Sequence, residues 1–269
     1  MELDLTLLNQ VVALTQEAGS AILAVYRGGV ERATTEWKLD RSPVTAADRA
    51  AHDVLMAGLT RLTPDVYVVS EEGDNGPKPP ARGPWWAVDP LDGTKEFLKR
   101  TGEFTVNVGL VFDGVPVGGV VHAPVLGRTW VGSPKGGEVR EDGKTRPLRV
   151  RPVDPTRLRL VASRDHAGPT VRRLLDRTPG AETVSMGSSL KFCLVAEGRA
   201  DLYLRDGPTM EWDTAAAHAV LRAAGGEVYS LAGVPLTYGK DELRNDHFVA
   251  VGDQAFPWRQ LLDSHSTSE

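Results

Sequence analysis

The stretch Trp86-Ala87-Val88-Asp89-Pro90-Leu91-Asp92-Gly93-Thr94 decides how this chain is read. A short apolar strand, Trp85 to Val88, stops abruptly at an aspartate. Pro90 fixes the backbone and Gly93 permits a tight turn, so Asp89 and Asp92 leave one rigid corner. Hard cations such as Mg²⁺ take carboxylate and carbonyl oxygens on a stiff frame. Asp89, the Leu91 carbonyl and Asp92 can all face one site, and Thr94 adds a hydroxyl able to orient water. Asp-Pro and Asp-Gly are also common turn pairs, so the stretch alone leaves a plain turn open.

Other carboxylates occupy comparable places. Val66 to Ser70 reads as a buried strand that delivers Glu71-Glu72 at its end. Strand ends of mixed sheets are where ligands bind. Three or four like charges gathered there repel strongly unless cations offset them. Asp48 closes Thr45-Ala46-Ala47-Asp48, which has the form of a capping box. Asp213 follows the Gly207-Pro208 turn and opens a helix. For both, capping and the helix dipole are sufficient reasons, and a ligand role is compatible with either.

Helical spacing runs over residues 5–26 until Gly28-Gly29, and a second helix runs from Thr45 to about Leu62. Gly73 to Gly83 is a loop. Phe104 to Phe112, the Asp113-Gly114 turn and Val117 to His122 form a hairpin. Residues 132–157 are polar and basic, with little periodicity, and the domain boundary is placed at their end, giving 1–157 and 158–269. Strands at 158–162, 200–204 and 248–251 then alternate with helices at 169–175, 188–197 and 213–224, while Val228-Tyr229 starts a hairpin. The pattern is mixed α and β, hairpin-rich in the first half.

Composition removes several classes. The chain has 269 residues, enough for two domains of ~150. Its single cysteine, Cys193, excludes an internal disulfide framework and a thiolate zinc cluster. With 36 acidic against 31 basic residues and a net charge of -5, no broad basic face for duplex nucleic acid is suggested. The acidic start, with Glu2 and Asp4, is unlike a secretory leader, and no apolar run has the length of a membrane span, so a cytoplasmic place is expected. The histidines are scattered without HExxH spacing, and neither a dinucleotide nor a P-loop fingerprint occurs. Asp89-x-x-Asp92 has the wrong spacing for an aspartyl-phosphate route.

Asp89-Pro90-Leu91-Asp92-Gly93-Thr94 resembles the signature of the lithium-sensitive, magnesium-dependent phosphomonoesterases of the inositol monophosphatase superfamily. The extension Lys95-Glu96-Phe97, with Gly102-Glu103-Phe104-Thr105-Val106-Asn107, is similar to its 3'(2'),5'-bisphosphate nucleotidase branch, CysQ type. Lys38, Ser42 to Thr45, Asp48 and Ser70-Glu71-Glu72 match upstream. Ser163-Arg164-Asp165-His166, Gly187 to Phe192, Trp212 to Ala216, Asn245 and Phe248 match downstream, Asp165 standing where the motif has serine.

The resemblance implies a layered αβαβα sandwich of the sugar-phosphatase type, an α+β N-terminal part with a large antiparallel sheet joined to an α/β C-terminal part. It implies two or three Mg²⁺ ions held by Glu71, Asp89, the Leu91 carbonyl, Asp92 and Asp213, and inhibition by Li⁺. Glu71, Thr94 and Asp48 would position the attacking water, and the backbone at Gly93 and Thr94 would hold the phosphate. Ser188, Lys191 and Arg205 would contact a second phosphate, and His166 would neighbour the base. The substrate expected is a small phosphorylated nucleotide, adenosine 3',5'-bisphosphate, cleaved to AMP and phosphate. Inositol 1-phosphate or another sugar phosphate is the alternative, and a sensor that binds without turnover is the alternative of another class. A homodimer and a location peripheral to the inner membrane are compatible with the family. Read by themselves, Lys191 could equally be a solvated stem and Arg205 a surface partner of Asp206.

Overall fold

Trp85 and Trp86 lie on opposite faces of one strand, and the layers follow from that alternation. The structure, a computed structural model, describes residues 4–28, 35–37, 43–73, 78–162 and 168–262. Helix α1 spans Leu5–Arg27 and α2 spans Ala46–Leu62, with the small pair β1 (Thr35–Trp37) and β2 (Pro43–Thr45) between them. A seven-stranded sheet follows in the order β3 (Tyr67–Ser70), β4 (Pro84–Asp92), β5 (Thr105–Phe112), β6 (Val115–Ala123), β7 (Arg128–Ser133), β8 (Gly136–Glu141) and β9 (Lys144–Pro147). Only β3 and β4 pair in parallel in this sheet. Helix α3 (Thr94–Leu98) leaves the end of β4.

The second half holds β10 (Arg159–Ala162), α4 (Pro169–Arg177), β11 (Glu182–Ser185), α5 (Leu190–Ala196), β12 (Leu202–Arg205), β13 (Thr209–Met210), α6 (Glu211–Ala223), β14 (Glu227–Ser230), β15 (Arg244–Asn245) and β16 (Phe248–Val251). Its five-stranded sheet runs β11-β10-β12-β16-β14, parallel on the β11-β10-β12 side and antiparallel on the other. Trp86 and Val88 pack with α1 and α2. Trp85 and Ala87 pack on the opposite side with α5, α6 and the inner face of the second sheet. Leu160, Leu202 and Val249 face outward onto α4 and Trp258. The order is therefore helix, sheet, helix, sheet, helix, the sandwich that the motifs imply.

Helix α6 is seated on the first sheet by glycines. Gly109, Gly119 and Gly132 are register partners across β5, β6 and β7. A Cβ on Gly119 would lie 2.2 Å from the Ala216 carbonyl oxygen, and one on Gly109 would lie 2.7 Å from the Ala216 nitrogen. On Gly132 it would come within 2.6 Å of the Ala219 oxygen. The alanine-rich face of α6 thus rests almost directly on strand backbone, which fixes the depth at which Asp213 enters the interior.

Three local expectations are corrected. The strand of the opening stretch does not stop at Asp89 but continues to Asp92 through a bulge, where Asp89 pairs with Asn107 and Asp92 with Thr105. Pro90 sits within this irregularity, where a missing ladder donor costs little. The polar segment from 132 contains β8 and β9. All four residues of β9 are exposed, so it shows no apolar alternation, and backbone pairing alone carries it. The strand Glu182–Ser185 and the helix Thr94–Leu98, neither of them expected, are too short for a periodic signal.

His122 on β6 tests one consequence of burial. Its Nδ1 lies 2.9 Å from the Thr129 hydroxyl, and α1 approaches so closely that a Cβ on Gly19 would meet the ring at 2.7 Å. Burial, opposed by a hydrogen bond with the Arg128 backbone, lowers its pKa to about 4. Above the ordinary value near 6.5 both folded and unfolded forms are neutral. As pH falls from 6.5 towards 4, the unfolded chain gains a proton that the folded form refuses, so stability is lost across that window. The loss has a ceiling of about 3 kcal/mol. The drop in urea midpoint between pH 7 and pH 4.5 is expected to shrink in His122→Gln; an unchanged drop refutes it.

Candidate active site

The expected carboxylates converge. Oxygens of Glu71, Asp89 and Asp213 all lie within 4.8 Å of one another, although they come from the end of β3, the bulge of β4 and the first turn of α6. Asp89 is 1% exposed and spends one oxygen, Oδ1, on the Leu91 N–H at 3.0 Å. Burial, then the charges of Glu71, Asp92, Asp213 and Asp48, holds its carboxyl well above the usual range. Burial, then Asp92 and Glu71, does the same to Asp213. Such crowding is a feature of functional sites. A set of hard, anionic oxygens on a rigid frame fits a divalent cation, whose charge would offset their repulsion.

The capping and ligand readings of Asp213 both have a geometric basis, because its Oδ2 accepts the Met210 N–H at 2.8 Å. Asp48 divides its carboxylate similarly. Oδ2 accepts from Thr45 N and Oγ1 at 2.7 and 2.6 Å, which completes the capping box, while Oδ1 faces the Thr94 hydroxyl at 3.3 Å. Burial raises the Asp48 pKa to about 6, against the hydrogen bonds from Thr45. Thr94 Oγ1 also lies 3.4 Å from the Leu91 carbonyl. Gly93, at φ 96°, turns the chain from β4 into α3, a left-handed conformation suited to glycine.

Asp92 stands outside the tight trio. Its Oδ2 accepts the Ser189 N–H at 2.6 Å and the Asn107 side-chain N–H at 3.3 Å. It lines a cleft of about 590 Å³ together with Glu71, Asp213, Ser188, Lys191 and Arg205. Lys191 is not a solvated stem. It is 7% exposed, donates to the Ser188 carbonyl at 2.7 Å and lies 5.4 Å from the centre of the Tyr203 ring. Burial, eased by Asp92, lowers its pKa to about 8, which leaves it an ammonium at neutral pH. Arg205 does not pair with Asp206 among the described residues. It reaches the Pro208 carbonyl at 3.3 Å, and Asp206 instead accepts N–H groups of Gly168, Thr170 and Val171 at the start of α4. His166, Lys38 and the rest of the 163–167 motif lie outside the described residues.

Two residues in quoted motifs received no role from sequence reasoning, Asn107 and Ser189, which hold Asp92. Glu211 was missed as well. It is fully buried, accepts from Gly239 N at 2.6 Å and from Lys240 Nζ at 2.6 Å, and ties the 237–245 segment to the start of α6. A lone acid between Met210 and Trp212, two positions before Asp213, was its only signal. His218, inside α6, is satisfied locally by the Tyr238 hydroxyl at 2.9 Å and by Glu227. No helix among the described residues is long and apolar enough to cross a membrane.

A five-layer sandwich with acidic groups gathered where both sheets meet one helix defines a class of metal-assisted phosphatases. The chain belongs to the inositol monophosphatase family, whose pattern matches residues 4–254. It is 49% identical over 235 residues to the 3'(2'),5'-bisphosphate nucleotidase CysQ of Escherichia coli (strain K12), covering 86% of this chain and 94% of that protein. The CysQ nucleotidase of Aggregatibacter actinomycetemcomitans is 39% identical over 266 residues, 96% and 97% of the two chains. Among solved structures, CysQ of Bacteroides thetaiotaomicron superposes with a TM-score of 0.76 at 38% identity, covering 90% of this chain and 96% of that one.

Proposed function

We propose that this chain is a Mg²⁺-dependent phosphomonoesterase that hydrolyses adenosine 3',5'-bisphosphate to AMP and inorganic phosphate. The observation that carries the reading is one cleft with two chemically opposite ends. Glu71 and Asp213, against which Asp89 is gathered, line it as the acidic group, and the buried ammonium of Lys191, with Arg205, lines it as the basic one. A substrate with one phosphate has no use for the second end. A bisphosphate uses both, and arginine can grip a phosphate through two N–H groups. The strong homology to nucleotidases named for such a substrate supports the same choice.

In this reading Glu71, Asp89, Asp92, Asp213 and the Leu91 carbonyl would hold Mg²⁺, which would supply charge to offset the phosphoryl oxygens and to make a water acidic. Thr94 directs its proton to Asp48, so its oxygen is left to accept a hydrogen from the attacking water. That orients a lone pair of the water towards phosphorus, and Glu71 takes the second proton. The backbone at Gly93 and Thr94 holds the phosphoryl group, using N–H donors that a helix start leaves without internal partners. Water attacks phosphorus in line, the bond to the 3'-oxygen breaks, and that oxygen leaves as an alkoxide that takes a proton from solvent water to become the hydroxyl of AMP, while Glu71 returns its proton to solvent. Ser188, Lys191 and Arg205 retain the 5'-phosphate, and His166 neighbours the base.

The same family reading carries two or three Mg²⁺ per site, inhibition by Li⁺ and a homodimer; the acidic charge balance carries no binding to duplex nucleic acid, and a cytoplasmic place peripheral to the inner membrane completes the proposal. It also carries a division at 1–157 and 158–269, supported by a sheet on either side of that point. The test is phosphate release, with and without Mg²⁺, from adenosine 3',5'-bisphosphate, its sulfated relative PAPS, inositol 1-phosphate, fructose 1,6-bisphosphate and NADP. Highest kcat/KM on the adenosine bisphosphate, abolished by chelator, is expected. Lys191→Glu should raise KM for the bisphosphate roughly 10–100-fold and leave that for adenosine 3'-monophosphate nearly unchanged. Equal changes for both would sink the assignment.

A further inference from the structure

Ser188 and Ser189 touch both ends of the cleft. The Ser189 N–H donates to Asp92 Oδ2 at 2.6 Å, and its hydroxyl donates to the Asp213 backbone carbonyl at 2.9 Å. Asn107 on β5 shares its side-chain Nδ2 between Asp92 Oδ2 at 3.3 Å and Ser189 Oγ at 3.0 Å. Asn107 is 0% and Ser189 1% exposed. The Asn107 amide has one workable orientation, because reversing it would set Oδ1 against the Asp92 carboxylate. On the basic side, the Ser188 carbonyl accepts Lys191 Nζ at 2.7 Å. Ser188 itself is left-handed, at φ 45°, and its buried hydroxyl has no protein partner. A non-glycine residue held in that conformation marks a backbone constrained by its surroundings.

We infer that Asn107 and Ser189 are positioning residues that tie the carboxylate cage to the basic end of the cleft, so that a cation at one end and a phosphate at the other raise each other's affinity. The inference rests on the reading above, in which Lys191 holds the phosphate that is not cleaved. A phosphate at Lys191 acts on the ammonium that holds the Ser188 carbonyl, and so on the peptide whose N–H fixes Asp92. A cation at the cage acts on Asp92 and Asp213, the two acceptors that hold Ser189. Whichever ligand arrives first sets the 188–189 backbone, and the second binds a chain already set. By linkage the effect is the same in both directions.

The experiment is calorimetric titration of the apo chain with Mg²⁺, alone and with saturating AMP, which carries the 5'-phosphate only. In the wild type AMP should tighten Mg²⁺ binding about tenfold. Ser189→Ala and Asn107→Ala should each reduce that factor below about twofold, and Ser189→Thr, which keeps the hydroxyl, should restore it. A purely structural loss would weaken both titrations in parallel and leave the ratio intact, which overturns the inference. So does a wild type without coupling. The two readings fail differently. A wild type that hydrolyses the bisphosphate and binds AMP, with the ratio unmoved in the variants, loses this inference alone. A wild type that neither hydrolyses it nor binds AMP loses the nucleotidase reading, and this inference with it.

Discussion

Asp89→Asn is expected to abolish phosphate release while making the metal-free protein more stable. The side chain is fully enclosed, and three carboxylates besides Glu71 add their charge to its surroundings. Asparagine has nearly the same shape, and its carbonyl oxygen can keep the bond from the Leu91 N–H. What it removes is an ionisable group whose negative charge is opposed by burial and by like charges. Relief of that repulsion should raise the urea stability of the metal-free chain by on the order of 1–3 kcal/mol. The same charge is what a divalent cation requires. Losing a metal's contribution of several kcal/mol to the transition state predicts a fall in kcat/KM of about a thousandfold or more. The gain in stability should also vanish in saturating Mg²⁺, because only the wild type is then stabilised by its ligand. A variant that is inactive and less stable without metal would show that Asp89 holds up the fold rather than the site.

Gly119→Ala should be nearly as damaging, because its added methyl would lie only 2.2 Å from helix backbone. A methyl group there meets the Ala216 carbonyl oxygen and, at 2.9 Å, the Ala216 Cα. These are helix backbone atoms and cannot turn aside as a side chain can. Either the strand or the whole of α6 must move. Overpacking of this kind costs about 1–3 kcal/mol, and a backbone obstruction belongs at the upper end. A displacement of α6 also carries Asp213 away from Glu71 and Asp89, and a shift of about 1 Å at a reacting centre can cost about a hundredfold in rate. Gly180→Ala is the control, since no atom lies within 4 Å of its added methyl. Melting temperature and kcat should both fall for Gly119→Ala and hold for Gly180→Ala. Equal behaviour of the two would mean that α6 is not seated on the glycines.

The corner that holds Asp89 and Asp92 was legible in the sequence because its determinants are local. Proline, glycine and acid within six residues specify a stiff, charged irregularity, which here is a bulge inside β4 rather than a turn at its end. The cap at Thr45 was legible for the same reason. Lys191 was not, since the pattern of Ser188 to Glu197 is that of a helix with one wet face. In fact every residue from Leu190 to Ala196 is buried, because α5 lies between two sheets. A helix enclosed on all sides loses the periodic signal by which burial is read. Asn107 stood inside a quoted motif, yet its role depends on Ser189, 82 positions further on. Gly109, Gly119 and Gly132 look like strand weaknesses until their register places them side by side under α6.

The seating of α6 also has a consequence for synthesis. Asp213 follows Asp89 by 124 positions (213 − 89). While the ribosome is still making the intervening chain, the furrow over Gly109, Gly119 and Gly132 lacks the helix that fills it. The furrow fills only when residues 211–223 emerge, and the same event brings in the last carboxylate of the trio. The element that fills the furrow is therefore the one that completes the carboxylate trio, and a nascent chain that ends before α6 has neither.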